Sequence, residues 1–288
     1  MIRKGIILAG GYGSRMSPLT KAVNKQLLPI YDKPLIYYPL SVLMLAGIKD
    51  ILIIVNKGQL RQFKNLLQDG KRFGVKLSFI EQSKPKGLPD AFLIGQKFIG
   101  KEKVAMILGD NFFYGQNLSK LLLSSTKLKK GAKVILHKVI KPELYGVAKV
   151  NKRNKIIKIQ EKPKKFFSDL AITGLYFFDN KVTKYAKKLK PSKRGEVEII
   201  DLLKFYKIKN ELSADLIGRG GAWLDTGSME DFYRTSNFVS AIENRQGLKI
   251  ACLEEIAFNN NWITKKNIKQ SIKFYGNCDY SKYLSKLL

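Results

Sequence analysis

The sequence is poor in the residues that cross-link chains or bind soft metals. Cysteine occurs twice in 288 residues, at Cys252 and Cys278. Two thiols without metal-ligand spacing build neither a disulfide framework nor a thiolate metal site. Histidine occurs once, as His137, in an apolar stretch followed by lysine. A single imidazole with no evident partners gives no support to a Ser–His–Asp arrangement. No run of about 18 apolar residues is present, which excludes a membrane-spanning helix. The chain opens Met-Ile-Arg-Lys and enters an apolar segment directly. It shows no secretory h-region or cleavage site, so the expectation is a cytoplasmic protein. Acidic residues are also scarce, 23 against 53 lysines and arginines, for a net charge of +30. Such a charge brings nucleic acid or an acidic surface into consideration. The basic residues are spread over the whole chain, are mostly lysine, and accompany no nucleic-acid motif. The expectation is no nucleic-acid and no membrane partner, with a surface that attracts small anions.

The most informative stretch is GIILAGGYGSRMSPLTKAVNKQLLP, Gly5 to Pro29. Ile6 to Ala9 reads as a buried strand. It breaks into Gly10, Gly11, Tyr12, Gly13, Ser14 and Arg15. A glycine-rich turn lets backbone N–H groups close on phosphate oxygens. Arg15 adds a planar fork of donors and Lys25 a compact ammonium. The spacing fits neither the P-loop nor the dinucleotide fingerprint. The loop reads as a triphosphate grip, although a glycine turn alone is weak evidence.

Further along, Pro34 to Ala46 reads as a buried helix that Pro39 should bend. Strands are predicted at 51–55, 75–81 and 104–108, with helices at 59–68 and 91–98 between them. That alternation implies βαβ units and a mostly parallel sheet with ligands at the strands' carboxyl ends. A helix follows at 118–128. From Ala132 strands dominate (134–136, 146–150, 156–160, 172–178), which suggests an added mixed section carrying a second substrate. Helices at 182–189 and 197–206 and strands at 212–217 and 222–224 follow. A helix from Ser228, a good N-cap, and short helices to Leu288 complete the chain. The expected organisation is one domain, 1–288, with a nucleotide half (1–130), an acceptor half (131–227) and a helical tail (228–288).

Asp110 in MILGDN and Asp225 in AWLDTG each follow a predicted strand. Two strand-end carboxylates can share one Mg²⁺ that keeps water and phosphate oxygens at its other positions. Taken singly, each could equally cap a turn. Gln82, in EQSKPKGLPDAF, carries an amide that donates and accepts at once, as reading a pyrimidine edge requires. A surface loop is the alternative there.

GIILAGGYGSRMSPLT and the following KQLLPIYDKPLIYYPL resemble the signature of the sugar-1-phosphate nucleotidyltransferases, and the later motifs are similar to the thymidylyl-transferring branch. The resemblance covers essentially the whole chain. It implies a Rossmann-like α/β fold, with a mostly parallel central mixed sheet flanked by helices, a sugar-binding β section and a helical tail. It implies dTTP and glucose 1-phosphate as substrates, Mg²⁺ on Asp110 and Asp225, and a place at the start of a deoxysugar route such as dTDP-rhamnose formation. In-line attack of the sugar phosphate on the α-phosphorus would expel pyrophosphate. Gly10, Gly11, Gly13, Ser14, Arg15, Lys25, Gln82, Gly87 and Asp110 would hold the nucleotide. Tyr145, Gly146, Glu161, Lys162, Ile172, Gly174 and Arg194 would hold the sugar phosphate. Arg15, Lys25, Asp110, Asp225, Lys162 and Arg194 form the implied catalytic set. The tail resembles a homotetrameric branch with a second, allosteric nucleotide site, for which Gly115, Arg219, Arg245, Ala251 and Glu255 are the matching positions. Pro89-Asp90 and Ile200 depart from the family pattern. The rivals are a UTP-dependent relative, a catalytically silent relative and a basic nucleic-acid-binding protein.

Overall fold

Strand β1 (Lys4–Ala9) is buried from Gly5 onward and takes a parallel strand on each side. The computed structural model that shows this describes residues 1–192 and 195–288. After β1 comes a short pair, β2 (Pro29–Ile30) and β3 (Lys33–Pro34). Next are β4 (Asp50–Asn56), β5 (Lys76–Gln82) and β6 (Val104–Leu108), which with β1 make a parallel set ordered β5-β4-β1-β6. Runs such as ILIIV and VAMIL suit a sheet covered on both faces. The chain fills one side of β1 and then crosses to the other. The carboxyl ends of β1 and β6 therefore flank a topological switch point, where such sheets open a crevice.

The other half follows in sequence: β7 (Asn111–Tyr114), β8 (Ala132–Lys138), β9 (Gly146–Val150), β10 (Ile156–Glu161), β11 (Leu170–Phe178), β12 (Leu212–Leu216) and β13 (Ala222–Asp225). β11 runs antiparallel to β6 and β8 and touches β9, and β10 pairs antiparallel with β9. β12 is parallel to β8. The change of texture at Ala132 thus marks the passage from the parallel half to the mixed half.

Alternation along β1 sends Ile7 and Ala9 to one face and Ile6 and Leu8 to the other. The first face shares an apolar cluster with the tail through Leu253, Ile268 and Leu284. The second packs with Phe178, Leu202 and Tyr206. The Arg72 guanidinium lies 3.7 Å from the ring centre of Phe274 in the tail, a cation–π contact. Ser228 caps the helix Met229–Gln246, its hydroxyl accepting from the Asp231 amide, as the sequence suggested.

Three local readings change. Pro34 lies in β3, and the predicted helix begins only at Tyr37. Pro39 is its third residue, where no intrahelical N–H bond exists to lose, so the physical reason for a bend is absent. The single helix predicted over 91–98 is two short ones, Asp90–Ile94 and Gln96–Ile99, meeting at Gly95. β7 was read as no element at all, yet it pairs with β13 in a separate two-stranded ribbon.

Candidate active site

The ribbon decides the geometry. Its register sets Asp225 opposite Asn111 and Ala222 opposite Tyr114. Asp110, one residue before β7, therefore sits at the same end as Asp225. Thr226 closes that end, its N–H and hydroxyl both donating to the Asp110 carbonyl at 3.0 and 2.8 Å. Two carboxylates far apart in the chain become neighbours beside the β1–β6 crevice.

The Lys25 ammonium lies 2.9 Å from Asp110 Oδ2 and is almost fully buried. Burial raises the Asp110 pKa, but the Lys25 charge and hydrogen bond outweigh it and hold the carboxyl below its ordinary value. Asp225 goes the other way. Burial and the Asp110 charge push it up to about 6, against the opposing pull of Lys25 and Arg15. Arg15 is close by: a Cβ on Gly227 would meet Arg15 Nη2 at 3.0 Å and Asp225 Oδ2 at 3.1 Å.

A cavity of about 240 Å³ opens here, lined by Gly10, Gly11, Gly13, Ser14, Arg15, Lys25 and Asp110, among others. Gln82 stands behind its glycine wall. The Gln82 amide donates to Asn56 Oδ1 at 3.1 Å, and Asn56 Nδ2 donates to the Gly11 carbonyl at 3.0 Å. A Cβ on Gly10 would strike Gln82 Nε2 at 1.9 Å, so the loop lies on that amide only because residue 10 is glycine.

A second cavity, also about 240 Å³, adjoins the first at Leu88. It is lined by Gly87, Tyr145, Gly146, Glu161 and Ile172, together with Tyr176, Glu198 and Ile200. Tyr145 packs edge-on against Trp223 with ring centres 5.2 Å apart. Burial and the nearby Asp225 charge raise its phenol pKa. Lys162 lines a wider space of about 540 Å³ that shares Glu161, Glu198 and Ile200 with this cavity. The Lys162 backbone is held at φ 41°, a conformation L-residues avoid and one that collects at ligand sites. Arg194 lies outside the described residues.

Gly87 has φ 114°, and a Cβ there would fall 2.1 Å from the Val197 carbonyl oxygen. Gly87→Ala should therefore cost more than about 2 kcal/mol. Denaturant unfolding measures this; a midpoint equal to the parent's would show that the 87–197 contact yields freely.

Gly115 and Arg219 meet in a separate cavity of about 200 Å³. Arg245, Ala251 and Glu255 are not among its lining residues. Arg245 is in the last turn of the helix Met229–Gln246, Ala251 packs on the cluster of Ile30 and Phe112, and Glu255 accepts from the Tyr283 hydroxyl at 2.7 Å. His137 packs beside Trp223, its Nε2 3.4 Å from the Gly221 carbonyl oxygen.

The sequence reading missed Asn111, Thr226 and Tyr176. Tyr176 is buried in the wall of the second cavity. Asn111 and Thr226 each follow a predicted carboxylate directly, and that adjacency was the available signal.

Among the described residues no cluster of three or more His, Cys, Asp or Glu side chains could hold a metal. The pair Asp110 and Asp225 nevertheless suits Mg²⁺, which takes one or two carboxylates and completes its shell with water and phosphate. Asp225 carries negative charge that Lys25 and Arg15 only partly offset, its pKa raised by burial and by the neighbouring carboxylate. A divalent cation would neutralise it.

The Rossmann-type crevice thus gathers a glycine loop, two cations and two carboxylates. The chain belongs to the nucleotidyl transferase family, whose model matches residues 4–242. Its relatives include glucose-1-phosphate thymidylyltransferases. It is 48% identical to the one from Neisseria meningitidis over 285 residues, 99% of each chain. It is 42% identical to the one from Mycobacterium tuberculosis, again covering 99% of each. Among solved structures, a glucose-1-phosphate thymidylyltransferase from Bacillus anthracis in complex with sucrose aligns with TM-score 0.75 and 40% identity, covering 82% of this chain and 94% of that one. A UDP-glucose pyrophosphorylase complexed with UDP-glucose aligns with TM-score 0.74 and 29% identity, covering 85% and 100%.

Proposed function

We propose that this chain transfers the thymidylyl group of dTTP to glucose 1-phosphate, giving dTDP-glucose and pyrophosphate, with Mg²⁺ as the metal. The observation that carries this reading is the register of β7 with β13, which brings Asp225 to Asp110 beside Lys25. The names of the relatives support the choice of substrates.

A phosphate oxygen of the sugar 1-phosphate attacks the α-phosphorus, the bond from that phosphorus to the bridging oxygen breaks, and pyrophosphate departs. The nucleophile is already an anion, so no strong base is needed. The chain's task is to hold two mutually repelling anions in line and to meet the charge that develops. Arg15 and Lys25 offer their donors to the β- and γ-phosphates, while the loop amides of Gly10 to Ser14 cradle them. Asp110 and Asp225 would hold Mg²⁺, which supplies positive charge to the phosphate oxygens when bound. Lys162 and Arg194 draw in the sugar phosphate, and Glu161 accepts from sugar hydroxyls beside Gly146 and Tyr145.

The same reading takes residues 1–288 as one nucleotidyltransferase domain in the cytoplasm. It assembles as a homotetramer with the tail taking part, and its product feeds a deoxysugar route. It includes a second, allosteric nucleotide site, with Gly115, Arg219, Arg245, Ala251 and Glu255 as its candidate residues. Sedimentation velocity tests the assembly.

Pyrophosphate release with glucose 1-phosphate and either dTTP or UTP tests the reaction. The expected result is a clear preference for dTTP. A preference for UTP would shift the reading toward UDP-glucose chemistry, and no release with either would end it.

A further inference from the structure

We infer that Asn111 is a positioning residue for the reaction: its side-chain amide fixes the carboxylate of Asp110 and couples it to the strand behind the acceptor pocket. This rests on the reading of Asp110 as a metal-holding carboxylate. Asn111 is 2% exposed and makes three side-chain hydrogen bonds. Its Oδ1 accepts from the Gly174 N–H at 3.0 Å and from Trp223 Nε1–H at 2.5 Å. Its Nδ2 donates to Asp110 Oδ1 at 3.1 Å.

The chemistry of the partners fixes which way the amide faces. A backbone N–H and an indole N–H can only donate, so they require the oxygen. The amide nitrogen must then face Asp110, whose carboxylate can only accept. Asp110 is thereby held at both oxygens, Oδ1 by Asn111 and Oδ2 by Lys25.

β11 is built around this contact. Its pairing with β8 is interrupted between Ile172 and Tyr176, and within that interval the Gly174 N–H turns to Asn111. A Cβ on Gly174 would lie 2.6 Å from Asn111 Oδ1, 2.7 Å from its Cγ and 2.8 Å from its Nδ2. Glycine at 174 is what allows the amide to sit there. Ile172 and Tyr176, on either side of the interruption, line the acceptor cavity. One amide therefore joins the metal-side carboxylate, the acceptor-side strand and the Trp223 strand.

Outer-shell partners of this kind are worth roughly 10- to 100-fold in metal affinity or activity. The test compares N111A with G174A, which keeps the amide but displaces it with a methyl group. Two readouts are taken: the Mg²⁺ concentration giving half-maximal pyrophosphate release, and Mn²⁺ binding followed by electron paramagnetic resonance with dTTP and no sugar phosphate. The expected result is a rise of roughly tenfold or more in both midpoints for both variants. The double variant should be no worse than the poorer single one, because both changes break the same link. Midpoints within roughly twofold of the parent, whatever happens to thermal stability, would overturn the inference and leave Asn111 a purely structural residue. Should N111A fail to fold, G174A decides by the same criterion. If the parent releases no pyrophosphate, the proposed reaction fails, while the Mn²⁺ titration still judges Asn111.

Discussion

Asp225→Asn should make the metal-free protein more stable at about pH 8 and at the same time remove nearly all turnover. Both halves come from one cause. Asp225 is pushed up to about 6 from an ordinary value of 3.8, first by burial and then by the charge of Asp110. Between those two values the folded state holds a proton that the unfolded state has lost. Stability of the metal-free protein must therefore fall as pH rises through that window, and the full penalty remains above it. The amide cannot ionise and escapes the penalty, a gain on the order of 3 kcal/mol in the alkaline range and little near pH 4. Chemical unfolding in a chelator at the two pH values reads the difference. Saturating Mg²⁺ should reverse the ranking, since the parent gains binding energy that the variant forgoes. Turnover in the variant should drop by about a hundredfold or more, the scale of one lost electrostatic contact in the transition state. If the two proteins unfold alike at about pH 8, Asp225 does not face Asp110 as described.

Lys25→Ala should lower turnover by about 10² to 10³. The ammonium holds the Asp110 carboxylate, and under the proposed function it also offers its remaining donors to the triphosphate. Methionine keeps most of the stem's packing, so Lys25→Met separates charge from volume. If charge dominates, the two variants lose turnover to the same degree and alanine alone loses additional stability. The Lys25–Asp110 pair carries its own pH signature. Its contribution is present above the ordinary aspartate value of 3.8 and is lost as pH falls through the lowered value in the folded state. That acid-side loss should be absent from both variants. Turnover within a few-fold of the parent would remove Lys25 from the chemistry.

The parallel half of the sheet was readable because strands covered on both faces must be apolar throughout, and ILIIV and VAMIL have no other use. The glycine loop was readable as a turn because Gly10, Gly11 and Gly13 follow a buried strand directly; its ligand rested on the resemblance. β7 was not. Asn-Phe-Phe-Tyr is short, follows a turn, and pairs only with a strand far along the chain. The pairing of Lys25 with Asp110 and the three bonds of Asn111 are likewise products of tertiary register, which no local periodicity encodes. The bend expected at Pro39 loses its physical ground because the helix starts at Tyr37, later than the sequence places it. Arg245, Ala251 and Glu255 were carried by resemblance alone; none lines the Gly115–Arg219 cavity, although the neighbouring Gln246 donates to the hydroxyl of its wall residue Tyr114.

Leu88 alone, among the described residues, lines both the Lys25–Asp110 cavity and the Gly146–Glu161 cavity. The two chambers therefore answer to nearly separate sets of amino acids. Under the proposed function, variation in the chamber of Gly146 and Glu161 alters which sugar is taken up without disturbing the grip on the nucleotide tail. A lineage could diversify its sugar while inheriting its chemistry unchanged.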